Sequence, residues 1–107
     1  MKYPELTFFD AYKEKGLELV FYSDELYYHF VFPEVLGFIT VSNEKKFIDD
    51  IKFPEGEYMI IAKQSAFLDG FKPTGFVNEN TMHYAIKCDK ITLHIATNYE
   101  PAVDFKK

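Results

Sequence analysis

The chain has 107 residues, a formal net charge of −5 and a single cysteine, Cys88. This length is typical of one domain, residues 1–107, that buries a core without a disulfide or a metal. All twelve basic residues are lysine. Nucleic-acid-binding domains are usually basic and rich in arginine, so we expect no nucleic-acid partner.

The sequence also argues against a membrane protein. No apolar run approaches the ~18 residues of a membrane span. Charged residues are scattered through the first fifteen positions, where a signal peptide would need an apolar segment. We therefore expect a cytoplasmic protein. Aromatic residues make up 19% of the chain, and because Phe, Tyr, Ile, Asn and Lys have AT-rich codons, this composition indicates a low-GC bacterial or phage origin.

The first half of the chain predicts a helix followed by three strands. Residues 4–15 carry helix start and stop signals, with Pro4 at the beginning and Gly16 just after the end. Residues 17–32 alternate apolar and polar side chains around a turn at residues 23–25, which is typical of a hairpin. A turn at residues 23–24 sets Glu18 opposite His29, whereas one at residues 24–25 sets Val20 there. Residues 35–41 continue the meander as a third strand.

The next segment predicts a second helix and an interior strand. Residues 44–52 have one apolar stripe, and Ser42 or Asn43 can cap their amino end. A proline–glutamate–glycine turn at residues 54–56 leads into a strand over residues 57–63. This strand is apolar on both faces, which is typical of a strand inside a sheet.

Residues 64–80 form a connection without periodicity, longer than is usual inside a compact domain. Residues 65–70 are expected to form one helical turn. The hairpin that follows, residues 81–96, has one apolar and one polar face. With a turn at Cys88 and Asp89, Ile86 is expected opposite Ile91 and His83 opposite His94. Residues 98–107 are interpreted as a tail.

These elements predict an α+β fold in the order α-β-β-β-α-β-loop-β-β. We expect one mostly antiparallel sheet of five or six strands with both helices packed on one face.

Few residues suggest chemistry. His83 and His94 lie close enough across the predicted hairpin to share a metal, but zinc needs three or four ligands. We therefore expect exposed histidines, no metal and no cofactor. The flanking lysines would lower the pKa of Cys88 and Asp89 would raise it, and no histidine adjoins the thiol in sequence. No motif for a catalytic nucleophile or a phosphate site is present, so we expect a non-enzymatic protein.

The hypothesis that remains is a small acidic protein-binding domain of the inhibitor, immunity or phage and plasmid anti-defence type. Its partner would be another protein with a basic surface, and the oligomeric state is left open. The expected binding residues are those of the long loop and of the acidic segments beside it: Phe67, Asp69, Phe71, Lys72, Phe76, Asp49, Asp50, Glu55 and Glu57. An alternative for the loop phenylalanines is that they seal the core. The alternative functions are a small-ligand domain with an aromatic pocket between helices and sheet, and a small enzyme using His83 and His94.

Overall fold

A computed structural model of the protein describes residues 3–12, 16–44 and 51–106. These residues form eight strands, with a helix α1 (Ala66–Asp69) and a 3₁₀ turn (Lys72–Thr74) between β5 and β6. The strands are β1 (Glu5–Tyr12), β2 (Gly16–Ser23), β3 (Leu26–Phe32), β4 (Gly37–Ser42), β5 (Met59–Ala62), β6 (Met82–Lys87), β7 (Ile91–Thr97) and β8 (Ala102–Lys106).

The strands form two four-stranded antiparallel sheets packed face to face. Sheet A has the order β1-β2-β3-β8 and sheet B the order β4-β7-β6-β5. The expected antiparallel pairing is therefore present, but the expected single sheet with two helices on one face is wrong. Alternating apolar residues of β2 and β3 meet those of β6 and β7 in one buried core: Leu17, Leu19, Phe21, Phe30 and Phe32 from sheet A, and Tyr84, Ile86, Leu93 and Ile95 from sheet B.

The first predicted helix is wrong: Glu5–Tyr12 form strand β1, which contains a β-bulge. The register with β2 pairs Leu6 with Phe21 and then Phe8 with Val20, so Thr7 is an extra residue on β1. Beyond this bulge Phe9 pairs with Leu19 and lies on the same face of sheet A as Leu6, although Phe9 is 36% exposed. Two apolar residues on one face, three positions apart, imitate the period of a helix, although the segment pairs as a strand.

The β2–β3 hairpin has the second of the two predicted registers. Its turn is Asp24–Glu25, and Val20 pairs with His29. Both turn residues have positive φ, 51° at Asp24 and 68° at Glu25. That geometry fits a type I′ turn, which matches the twist of the strands but favours asparagine and glycine.

Two further predictions fail because the chain changes sheet. The strand after Pro33 was expected to extend the meander, but β4 lies in sheet B and pairs with β7. The strand predicted inside a sheet, β5, has four residues, and among the described strands it pairs with β6 alone, at an edge of sheet B. The predicted helix at residues 44–52 lies mostly outside the described residues, and Ile51 and Lys52 are not helical.

The β6–β7 hairpin is present, and its register is shifted by two residues from the prediction. The Cys88 amide donates to the Ile91 carbonyl at 2.8 Å, so the turn is Asp89–Lys90. Ile86 then pairs with Leu93, and Ala85 with His94. A shift of two preserves which residues share a face. Tyr84, Ile86 and Leu93 are buried as predicted, while Ile91 is only partly buried.

The outer face of sheet B is covered by the segment after β5. Phe67 and Leu68 of α1 pack against Ala96 of β7 in a second apolar cluster. Phe71 lies so close to β4 that a Cβ on Gly37 would sit 2.6 Å from its ring. Any larger residue at position 37 would have to displace the Phe71 ring. Within residues 3–12, 16–44 and 51–106, no helix is long and apolar enough to cross a membrane.

Candidate functional site

Beneath α1, three buried polar side chains form a hydrogen-bonded chain. Ser65 is 6% exposed, His83 0% and His94 5%. The Ser65 hydroxyl lies 2.8 Å from His83 Nδ1, and His83 Nε2 lies 2.8 Å from His94 Nδ1. The expectation that both histidines lie on an exposed face is therefore wrong.

Local structure fixes this chain of groups. Ser65 is the N-cap of α1, and its hydroxyl oxygen accepts from the Leu68 amide at 3.1 Å. His83 and His94 lie diagonally on neighbouring strands, because His83 pairs with Ala96 and Ala85 with His94. The Phe67 ring covers both imidazoles, with centroid distances of 4.7 Å to His83 and 5.8 Å to His94. The helical turn thus acts as a lid over the pair.

The chemistry of this arrangement is limited by burial. A serine nucleophile must reach its substrate, but the Ser65 hydroxyl is enclosed and already accepts a hydrogen bond from the Leu68 amide of α1. Among the described residues, no group of three or more His, Cys, Asp or Glu side chains is placed to hold a metal. Hydrogen bonds between buried polar groups compensate for their desolvation and fix the lid on the sheet.

Cys88 is also buried, with no exposed surface. Burial, and to a lesser degree the Asp89 carboxylate, raises the pKa of the thiol from its ordinary value of 9.0 to about 12. The effect expected from the flanking lysines does not dominate. A neutral, enclosed thiol is a poor nucleophile.

The loop residues predicted to bind a partner separate into three groups. Phe67 is buried at 8% exposure, and Phe71 is half-buried with its ring 5.2 Å from that of Phe67. Asp69 and Lys72 form an exposed ion pair at 2.8 Å. Phe76 alone among the loop phenylalanines is open to solvent, at 67% exposure. The first two rings thus seal the outer face of sheet B.

The predicted acidic residues are not brought together by the described structure. Asp49 and Asp50 lie outside the described residues. Glu55 and Glu57 are both exposed, and the Glu57 amide donates to the Pro54 carbonyl at 3.0 Å in the turn before β5.

An apolar cleft opens beside the edge strand β5. Its volume is about 250 Å³, and it is lined by Ile61, Asn80, Met82, Tyr84, Asn98, Tyr99 and Glu100. Ile61 pairs with Tyr84, so its side chain faces the interior of the sandwich, yet it is 52% exposed. The neighbouring Tyr99 is 55% exposed. The two sheets are therefore not closed at this edge.

The loop before β6 is attached to this apolar cleft through the backbone of Phe76. The Asn98 side-chain amide donates to the Phe76 carbonyl at 3.1 Å, which attaches the loop to the rim. The Tyr84 hydroxyl has a raised pKa, first because of burial and second because of the Glu100 carboxylate. Glu100 is the charged residue of the lining, so the cleft combines apolar walls with one acidic group.

A second cleft lies at the opposite end of the β6–β7 hairpin. It measures about 130 Å³ and is lined by Tyr3, Glu5, Tyr22, Ser23, Asp24 and Asp89. The Lys87 ammonium lies 4.8 Å from the centre of the Tyr3 ring.

Ile61 and Tyr99 were not among the binding residues predicted from the sequence. Ile61 was assigned to an interior strand and Tyr99 to a tail. The signal that could have found Ile61 is the apolar character of both faces of residues 57–63, since an edge strand with that pattern leaves an apolar side chain exposed.

Comparison with known proteins finds no matching family model, no matching curated protein and no matching solved structure.

Proposed function

We propose that this protein is a non-enzymatic protein-binding domain whose apolar cleft receives an apolar side chain from a partner with a basic surface. One observation carries the proposal: Ile61 and Tyr99, both in the lining of this cleft, are 52% and 55% exposed, and Phe76, whose carbonyl accepts from the lining residue Asn98, is 67% exposed. Clustered exposed apolar side chains are typical of interaction surfaces, whereas isolated ones are ordinary.

The size of the cleft favours a side chain over a free small molecule. Its volume of about 250 Å³ is below the ~300 to 1,000 Å³ usual for small-molecule pockets. The space between the sheets is filled by the main core, including the edge-to-face pair of Phe32 and Tyr84 with ring centres 5.3 Å apart. These features support the protein-binding hypothesis over the aromatic ligand pocket.

Charge supports a basic partner. The formal net charge is −5, and Glu100 lies in the lining of the apolar cleft. A lysine or arginine beside the inserted side chain would be attracted to this rim, chiefly by faster association at low salt. The enclosed position of Ser65, His83 and His94 supports a structural role for these three residues.

The test is selection of binding peptides from a random displayed library on the immobilised protein. We expect enrichment of peptides with a large apolar residue next to lysine or arginine. Replacing Ile61 by Asp, or Tyr99 by Ala, should weaken binding of the selected peptides by about 2 kcal/mol or more, roughly thirtyfold in Kd.

Phe8→Asp is the matched control. Phe8 is 47% exposed and pairs with Val20 on the outer face of sheet A, so it lies away from the cleft. It should leave peptide affinity unchanged. Peptides that bind the Ile61 and Tyr99 variants as tightly as the unchanged protein would place the binding surface elsewhere. A library that yields no enriched peptide would contradict the proposal altogether.

A further inference from the structure

Strand β8 carries apolar side chains that the sandwich does not cover. Val103 pairs with Phe30 and Phe105 with Tyr28, so both face the same side of sheet A as the core. They are nevertheless 53% and 65% exposed. Within the part of the chain that the structure describes, β8 is an edge strand of sheet A, so its outer backbone groups are unpaired by another strand and its apolar side chains are exposed.

The direction of the backbone groups follows from the β2–β3 turn. A two-residue turn makes Ser23 and Leu26 a hydrogen-bonded pair, and such pairs alternate along an antiparallel ladder. Tyr28 therefore directs its amide and carbonyl to β2. Its partner on the other side, Phe105, must direct its own groups away from β3. The Phe105 amide accordingly donates to the Asp104 carboxylate at 2.9 Å.

We propose that β8 pairs with β8 of a second copy of this chain, antiparallel about a two-fold axis at Phe105. The two Phe105 residues then exchange amide and carbonyl hydrogen bonds. Asp104 stands opposite Lys106 of the second copy, and Lys106 opposite Asp104, which gives two opposite-charge pairs on the outer face. The interface is isologous, and it joins the two copies of sheet A into an eight-stranded sheet.

Charge complementarity selects this register and this occupant. An axis at Asp104 would set the two Asp104 carboxylates opposite each other, which is repulsive. An axis at Val103 would bring Pro101 opposite Phe105, and proline has no amide to donate to the ladder. With the axis at Phe105, the Asp104 carboxylate exchanges its bond from the Phe105 amide for a bond from Lys106 of the second copy. Both Phe105 rings become less exposed to solvent.

The interface is small, so we expect reversible association that grows with concentration. A single added strand is at or below the ~1,200 Å² lower limit of stable interfaces. Sedimentation velocity from micromolar to about 1 millimolar protein should show a monomer–dimer equilibrium in that range. In parallel, concentration-dependent amide chemical shifts should be confined to residues 102–106 and to the residues of β3 that pair with them.

Phe105→Asp should weaken dimerisation at least tenfold, because it places two carboxylates on the two-fold axis and removes the apolar contact. Phe76→Asp is the matched control, since Phe76 has a similar exposure of 67% and lies in another segment. It should leave the dimer unchanged. A monomer throughout the concentration range, or equal loss of the dimer in both variants, would overturn the proposal.

The register has its own test. Lys106→Asp places carboxylates opposite each other and should weaken the dimer, whereas combining it with Asp104→Lys should restore it. This rescue does not depend on the stability of either single variant. Failure of the double variant to dimerise, although folded by circular dichroism, would show that residues 104 and 106 do not face each other across the axis.

Discussion

Replacing His83 by Ala tests whether the buried polar chain holds the lid on sheet B. His83 has no exposed surface, contacts the Phe67 ring, and bonds to both Ser65 and His94 at 2.8 Å. The substitution removes a buried ring and leaves a cavity beneath α1. It also removes one hydrogen-bond partner from each of two other buried groups.

His83→Ala should remove a large part of the free energy of unfolding of a domain of this size. Truncation of a large buried side chain costs about 2 to 4 kcal/mol, and loss of a partner for a buried polar group about 1 to 3 kcal/mol. The Ser65 hydroxyl keeps its bond from the Leu68 amide, so the two terms do not add fully. We expect about 3 to 5 kcal/mol out of a total of roughly 5 to 15.

Urea denaturation followed by circular dichroism measures this effect. With an m value of about 1.5 kcal/mol/M, the midpoint should fall by about 2 to 3 M. His29→Ala is the control, since this histidine is part-exposed and bonds only to Glu18, at 3.0 Å, among the described contacts. It should cost less than about 1 kcal/mol. If His83→Ala and His29→Ala have the same midpoint, the buried chain does not stabilise the lid.

Three further predictions concern burial and backbone geometry. Burial raises the pKa of Cys88 to about 12, so above the ordinary pKa of 9.0 the folded protein keeps a thiol proton that the unfolded chain loses. The free energy of unfolding is therefore unaffected by this thiol below pH 9.0 and falls by about 1.4 kcal/mol for each pH unit from there towards pH 12. Between pH 8 and 11 the urea midpoint should fall less for Cys88→Ala than for the unchanged protein. An equal fall in both proteins would contradict a raised pKa of Cys88. Phe67→Ala should cost about 3 to 5 kcal/mol and Phe76→Ala under about 0.5 in the same assay, whereas equal costs would show that Phe67 does not seal the sheet. Glu25→Gly should stabilise the protein by about 0.5 to 1 kcal/mol, because φ is 68° there; a lower thermal midpoint would argue against a strained turn.

The sequence by itself determined which side chains share a face in the two hairpins, and it located their turns to within one or two residues. Alternation in residues 17–32 and 81–96 identified the inward side chains correctly, because a strand has a period of two whatever it pairs with. It left the register of the first hairpin open between two choices and missed that of the second by two residues. Turn position sets register, and neither Asp24–Glu25 nor Asp89–Lys90 has the glycine that would have marked it.

Only the tertiary structure decided which surfaces are covered. The polar face of the β6–β7 hairpin looked solvated, but Phe67 and Phe71 fold onto it, and His83 and His94 compensate by bonding to Ser65 and to each other. Conversely, Ile61 and Phe105 have the pattern of core residues and are exposed because β5 and β8 end their sheets. Local pattern reports which side chains share a face, whereas burial depends on the element that packs against that face, and that element can lie anywhere in the chain.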